Sequence, residues 1–364
     1  MIIGSAYLPN GSRGPGRLSE VPLELVDVGP AELTLPEATV RDERGGDLLG
    51  DGLVHDPSAG GGPFADPRQD REARAFGLVN TAFHTQRALR WAGELLGRPL
   101  PRLVIRVGVH EDVRRWSGGH YRVAAADYDP PEPAPVAETG EVHLGGGGGV
   151  LRGPDGQPYF AAPAHNLALI YHEIGHHICR HTADFRLNRL RPPDRQTNKK
   201  VAVDEGTCDL VTAILLNSPD IYGWHRGALP EWDRRRRLLH ARWTMAHFRG
   251  GRADPHADGT IWASACWSAR ERVAETGHPP ARFDRMLLRG LAESVDELEP
   301  PQLTDDALRR RRHYASLLAA MLRTDPELTD PVLAGMAGHG ITLGATNAVL
   351  REAARAGRLV AVGE

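Results

Sequence analysis

The sequence predicts an α+β fold, and three observations carry that expectation. Short strand-like pieces are scattered through the first 150 residues of the 364-residue chain. One strong helical pattern, from about Arg71 to Leu96, interrupts them and stops at Gly97-Arg98-Pro99. From residue 204 onward the pattern is almost wholly helical, with turns at Gly250-Gly251, Pro279-Pro280, Pro300-Pro301 and Pro331.

Residues 1–69 are rich in Gly, Pro and Asp, with β-like pieces at Leu23-Glu24-Leu25-Val26 and Ala38-Thr39-Val40. So few apolar residues cannot make a core of their own, so this segment is expected to lie on the rest of the protein or to be partly mobile. A strand over 102–109 follows the first helix. Tyr121-Arg122-Val123 and Glu141-Val142-His143-Leu144 are further strand pieces, separated by a proline-rich loop and closed by the glycine run 145–149. No P-loop lysine follows those glycines, so they read as a flexible connection and not as a phosphate cradle.

The next helix carries the chemistry. His172-Glu173-Ile174-Gly175-His176 places two imidazoles at i and i+4, one turn apart on one face, where both can grip a single metal ion. Glu173 projects about 100° around the same helix, within reach of a water at that metal. Leu167, Ile170, Ile174 and Ile178 recur at helical spacing and mark the buried face, which turns the two histidines toward a cleft.

Two histidines leave a catalytic zinc one protein ligand short. Glu205, in Val203-Asp204-Glu205-Gly206-Thr207-Cys208-Asp209-Leu210, is the expected third. Leu210, Val211, Ile214 and Leu215 form the stripe of a second helix, stopped by Asn217-Ser218-Pro219. Glu205 and Asp209 are again i and i+4, so one carboxylate can bind metal while the other fixes the tautomer of a ligating imidazole. An acidic helix start favoured by the helix dipole is the simpler account of Asp204-Glu205, but it leaves Asp209 unexplained.

Taken together, His172-Glu173-Ile174-Gly175-His176 and Glu205-Gly206-Thr207-Cys208-Asp209 resemble the thermolysin and fungalysin group of zinc metallopeptidases, the glu-zincins. Their pattern is H-E-x-x-H followed by E-x-x-x-D on the next helix. The run His256-Ala257-Asp258-Gly259-Thr260-Ile261-Trp262 is similar to a fungalysin segment in which a histidine precedes a Gly-x-Val/Ile-Trp helix start. Weaker likeness extends to Val79-Asn80-Thr81-Ala82-Phe83-His84, to the strand 103–107 and to Leu317-Leu318-Ala319-Ala320, about residues 70–345 in all. The resemblance implies a zincin-like, two-lobed fold: an N-terminal extension (1–69), a catalytic lobe with a mixed sheet and the active-site helix (70–182), and a helical lobe with the third ligand (183–364). It implies one catalytic Zn2+ held by His172, His176 and Glu205, with Glu173 as general base and Asp209 orienting His172. It further implies that His256 donates a hydrogen bond to the oxyanion, within about 6 Å of the metal and unbound to it. An edge strand around Val123-Ala124-Ala125-Ala126 is expected to pair with substrate backbone. Two departures stand out. The connection from His176 to Glu205 is longer than thermolysin's, with a basic, proline-containing stretch from Arg189 to Lys200. It also lacks the tyrosine that would serve as a second oxyanion donor.

Composition limits the other roles. A net charge of −3 gives no footing for nucleic acid or an anionic membrane as the main partner. Arg234-Arg235-Arg236-Arg237 therefore reads as a solvated helix face. Met1-Ile2-Ile3-Gly4-Ser5 lacks the features of a secretory signal, and no run approaches the roughly 18 apolar residues that span a bilayer, so a cytoplasmic location is expected. The three cysteines, Cys179, Cys208 and Cys266, favour buried reduced thiols over a disulfide framework. His177 and His181, rotated off the 172/176 line, are expected in ordinary packing with His165 nearby. Trp224, Trp232, Trp243, Trp262 and Trp267 are expected to pack the helical lobe.

The expected function is hydrolysis of peptide bonds in a peptide or protein substrate. Two alternatives are a zinc hydrolase of a small or modified amide in a tailoring pathway and a non-catalytic zincin-fold binding protein. The intact Glu173 argues against the last.

Overall fold

The computed structural model describes residues 1–9, 17–50, 52–57, 71–109, 118–124, 135–146, 151–152, 158–160, 163–183, 201–221, 238–239, 243–250, 255–296 and 313–357; side chains are described outside 151–160 and 295–296. Arg189–Lys200, Tyr222, Trp224, Trp232 and the arginine run 234–237 lie outside these residues.

The fold is α+β. Its main sheet contains β3 (Asp27–Gly29), β4 (Glu32–Thr34), β5 (Ala38–Asp42), β6 (Leu103–Val109), β8 (Glu141–Gly145) and β7 (Gly119–Arg122), in that spatial order. β5, β6 and β8 run parallel, whereas β3, β4 and β7 are antiparallel to their neighbours. The segment 1–69 thus supplies three strands of this sheet, and Leu33, Leu35 and Val40 enter the common core. Its other strands, β1 (Ile2–Leu8) and β2 (Arg17–Leu23), form an antiparallel pair. The β-like piece 23–26 is the link from β2 to β3, with only Leu23 in a strand. β9 (Leu151–Arg152) and β10 (Pro158–Phe160) make a further small pair.

Period-two alternation sorts the sheet's faces. Val40, Ile105, Val107, Val142, Leu144 and Tyr121 join the core shared with α1 (Arg71–Leu96) and α2 (Leu167–Thr182). Arg106, Glu141, His143 and His120 turn to the opposite face, where Arg106 Nε lies 2.6 Å and His143 Nε2 2.8 Å from Glu141 Oε2.

Several polar residues of α1 are buried because they join other elements. Asn80 Oδ1 accepts from Tyr7 N (3.0 Å) and its Nδ2 donates to Ala164 O (2.8 Å), tying β1 to the turn before α2. His84 sits between Tyr7 O (2.8 Å) and Tyr171 Oη (2.5 Å). Burial dominates its ionisation and pushes its pKa down to about 3, so this imidazole is a neutral brace.

Among the described residues after α2 the α-helices are α3 (Ala202–Leu216), α4 (Pro255–Glu275), α5 (Pro280–Asp296), α6 (Tyr314–Thr324), α7 (Thr329–Ala337) and α8 (Asn347–Arg355). α3 ends where Asn217 adopts the left-handed conformation at φ 52°, closing the helix through Ala213 O and Ile214 O. α2 packs on α3, and α3 on α4. No helix among the described residues is long and apolar enough to cross a membrane.

Candidate metal centre

Helix α2 begins with Asn166, whose Oδ1 accepts from Leu169 N (3.2 Å) and supplies the N-cap. Its apolar stripe faces the core as expected, but the other face is not open to a cleft. His172, Glu173 and His176 are also buried, because α3 covers the face that carries the imidazoles. Gly175 makes that approach possible. A β-carbon there would lie 2.9 Å from Cys208 Cα and 3.1 Å from its Sγ, closer than atoms pack.

α3 and α4 meet through two more glycines. A β-carbon on Gly206 would overlap the carbonyl of Gly259, and one on Gly259 would lie 2.7 Å from Gly206 N and 2.8 Å from Ala202 O. Trp262, fully buried on α4, donates Nε1–H to Thr207 Oγ1 (3.1 Å) and fixes the rotation of the pair. Glu205 lies in the first turn of α3, where the helix dipole favours a carboxylate. His256 also lies in a first turn, that of α4, and not in a loop before the helix. Asp258 anchors this corner by accepting from Arg249 N (2.9 Å) and Gly250 N (2.7 Å).

These contacts bring the four expected groups together. Glu205 Oε2 is the hub: His172 Nε2 lies at 3.0 Å, His256 Nε2 at 3.0 Å and His176 Nε2 at 3.6 Å. His256 stacks on His172 with ring centroids 5.9 Å apart. Asp209 Oδ1 meets His172 Nδ1 at 2.9 Å. Glu173 lies beneath the edge strand β7, where only a glycine fits: a β-carbon on Gly119 would come within 2.8 Å of Glu173 Cγ. The side chains of His172, His176 and Glu205 are 0–3 % exposed and that of His256 is 33 % exposed, so within this cluster it is His256 that reaches solvent.

This donor set lies close enough together to hold a metal ion. Three N/O ligands at about 2.0–2.2 Å in tetrahedral array lie roughly 3.4 Å apart. The donor atoms of His172, His176 and Glu205 all lie within 4.8 Å of one another, and the spacings to Glu205 bracket the tetrahedral value. Electrostatics agree. Burial works against a charge on His172, but its hydrogen bonds to Asp209 and Glu205 outweigh that and push its pKa up to about 9. Two buried carboxylates thus call for a cation at this imidazole, and a proton supplies it in the absence of metal.

The folded pKa of His172, about 9, stands above its ordinary 6.5, so the protonated pair stabilises the metal-free fold fully below pH 6.5 and is lost as pH rises through 9. A metal ion bound here would compete with that proton. Its apparent affinity should therefore rise about tenfold per pH unit up to about pH 9, with about one proton released per ion bound near pH 7. Calorimetric titration in buffers of different ionisation enthalpy reads both quantities. An affinity that is flat between pH 6 and 9 would refute the displacement.

The neighbouring features are structural. His177 Nε2 donates to Pro101 O (2.8 Å), His181 Nε2 to Thr139 O (2.9 Å) and His165 Nε2 to Ala73 O (2.8 Å), all stitching α2 and its lead-in to the sheet and α1. Cys179, Cys208 and Cys266 are buried thiols that form no disulfide among the described residues. The edge strand beside the site is Gly119–Arg122, ahead of the stretch expected from sequence; Val123 and Ala124 follow it, and Ala125-Ala126 lie outside the described residues. Sequence reasoning passed over Cys208, whose Sγ lies 3.3 Å from His176 Nδ1. The available signal was its position, three residues after Glu205 and so on an adjoining part of the same helical face. Neither models of known protein families nor curated protein sequences give a match to this chain.

Proposed function

We propose that the chain is a zinc metallopeptidase of the glu-zincin type, with a zincin-like two-lobed arrangement of sheet and helices around its centre. The observation that carries this reading is the convergence of His172, His176 and Glu205 within 4.8 Å, from two packed helices, with Glu173 one residue from a ligand. A zinc ion held by these three side chains would polarise the scissile carbonyl and acidify a water. Glu173 takes a proton from the attacking water and returns it to the leaving nitrogen as the C–O bond forms and the C–N bond breaks. Its position beneath Gly119 keeps the carboxylate packed in one place. Asp209 accepts the Nδ1–H of His172 and so leaves Nε2 free of a proton for metal. His256, the exposed member, has its Nε2 3.0 Å from Glu205 Oε2 and, beside the metal, would donate its N–H to the oxyanion.

One observation favours a second reading. Burial of the ligands, with His256 as the exposed member of the cluster, also suits a small or modified amide entering a narrow opening. Zinc-loaded protein assayed in parallel on a diverse peptide library and on a panel of short N-acyl amides separates the two. Turnover of neither would remove the hydrolase reading and leave a binding protein.

His256→Ala should lower kcat by roughly 10²–10³-fold with zinc content unchanged, as expected for loss of one oxyanion donor. Metal analysis and steady-state kinetics on the same preparation test this. A loss of zinc instead would make His256 a ligand.

A further inference from the structure

The two imidazoles at the centre have different partners on their far sides. His172 leans on the carboxylate of Asp209, 2.9 Å away, whereas His176 faces the sulfur of Cys208, 3.3 Å from its Nδ1. An imidazole that offers Nε2 to a metal must carry its proton on Nδ1, and that N–H needs an acceptor inside the protein. We infer that Cys208 is the positioning residue of His176: its thiol sulfur accepts the Nδ1–H and thereby fixes both the tautomer and the ring plane of this ligand.

This inference rests on the metal-centre reading above and adds to it an assignment for the second histidine. Three features of the packing support it. Cys208 is fully buried, at 0 % exposure, so water does not compete for the N–H. The bare Gly175, one residue before His176, lets the α3 backbone come in until Cys208 Cα is in contact, and this sets the sulfur beside the ring. Cys179, one turn farther along α2, is in buried contact with Cys208.

The test compares the zinc affinity of the full chain with Cys208→Ala, Cys208→Ser and Cys179→Ala, by competition with a chromophoric chelator. Folding of each variant is checked by circular dichroism. Loss of the acceptor in Cys208→Ala should weaken zinc binding about 10–100-fold. Cys208→Ser restores an acceptor at the same place and should recover most of the affinity, although serine leaves nearly as much space unfilled as alanine. Cys179→Ala, which removes a neighbour of the thiol but leaves the acceptor sulfur in place, should weaken zinc binding less than Cys208→Ala does.

Equal weakening in Cys208→Ala and Cys208→Ser would overturn the inference in favour of packing, and so would wild-type affinity in Cys208→Ala. Absence of zinc binding by the wild-type chain would instead remove the metal-centre reading itself. If an alanine variant fails to fold, the imidazole nitrogen signals of zinc-loaded wild type and Cys208→Ser decide. A His176 Nδ1–H signal that shifts between wild type and Cys208→Ser, as the acceptor changes from sulfur to oxygen, upholds the assignment, and an unshifted signal overturns it.

Discussion

Under the proposed hydrolase reading, Glu173→Gln should lower kcat for amide hydrolysis by roughly 10²–10⁴-fold, the usual range for a general base, with zinc content unchanged. The geometry supports both halves of that expectation. Glu173 is adjacent in sequence to His172 but stands about 100° away around α2, against Gly119 of the edge strand and outside the His172/His176/Glu205 group. Glutamine has nearly the same shape, so it still packs beneath Gly119, but it cannot take a proton from water. His176→Ala should behave differently: it removes a donor from the centre itself, and zinc and turnover are lost together. Atomic absorption on both purified variants, alongside steady-state kinetics, distinguishes base from ligand. Comparable zinc loss in the two would make Glu173 a ligand, and undiminished turnover in Glu173→Gln would remove it from the reaction.

The parts of this site legible in the sequence are those set by local spacing. Helical periodicity places His172 against His176 and Glu205 against Asp209 without knowledge of the fold, because i and i+4 share a face of any α-helix. The same periodicity marks α1 over Arg71–Leu96 and the end of α3 at Asn217. What remained hidden depends on partners distant along the chain. β3, β4 and β5 are three to five residues long, and β5 finds its parallel partner β6 only across the whole of α1. A short strand carries too little pattern to announce such a neighbour. Burial of the polar face of α2 was hidden for the same reason, since it needs the covering helix α3. Cys208 illustrates the limit at one residue: its buried thiol was legible, its proximity to a metal-ligand imidazole was not.

Glycines are the clearest case, because in a sequence they read as breakers, and here they set helix spacing. Gly206→Ala should destabilise the fold by about 1–3 kcal/mol, the usual range for overpacking, and should also weaken zinc binding. The added methyl would meet the backbone carbonyl of Gly259, which no side-chain rotation can relieve. α3 must then move away from α4, yet its other side is already in contact with α2 at Gly175. Either movement separates Glu205 from a histidine, from His256 if α4 recedes or from His172 and His176 if α3 tilts. Gly335→Ala is the control. Its methyl would overlap the backbone at Ala269, where α7 crosses α4 away from the metal-centre residues. Both variants should therefore unfold at lower denaturant concentration, and only Gly206→Ala should lose zinc affinity and turnover. If Gly206→Ala were as stable as the wild type, the close backbone contact would be wrong. If it were destabilised but kept full zinc affinity and kcat, helix spacing at Gly206 would not be what holds Glu205 against the histidines.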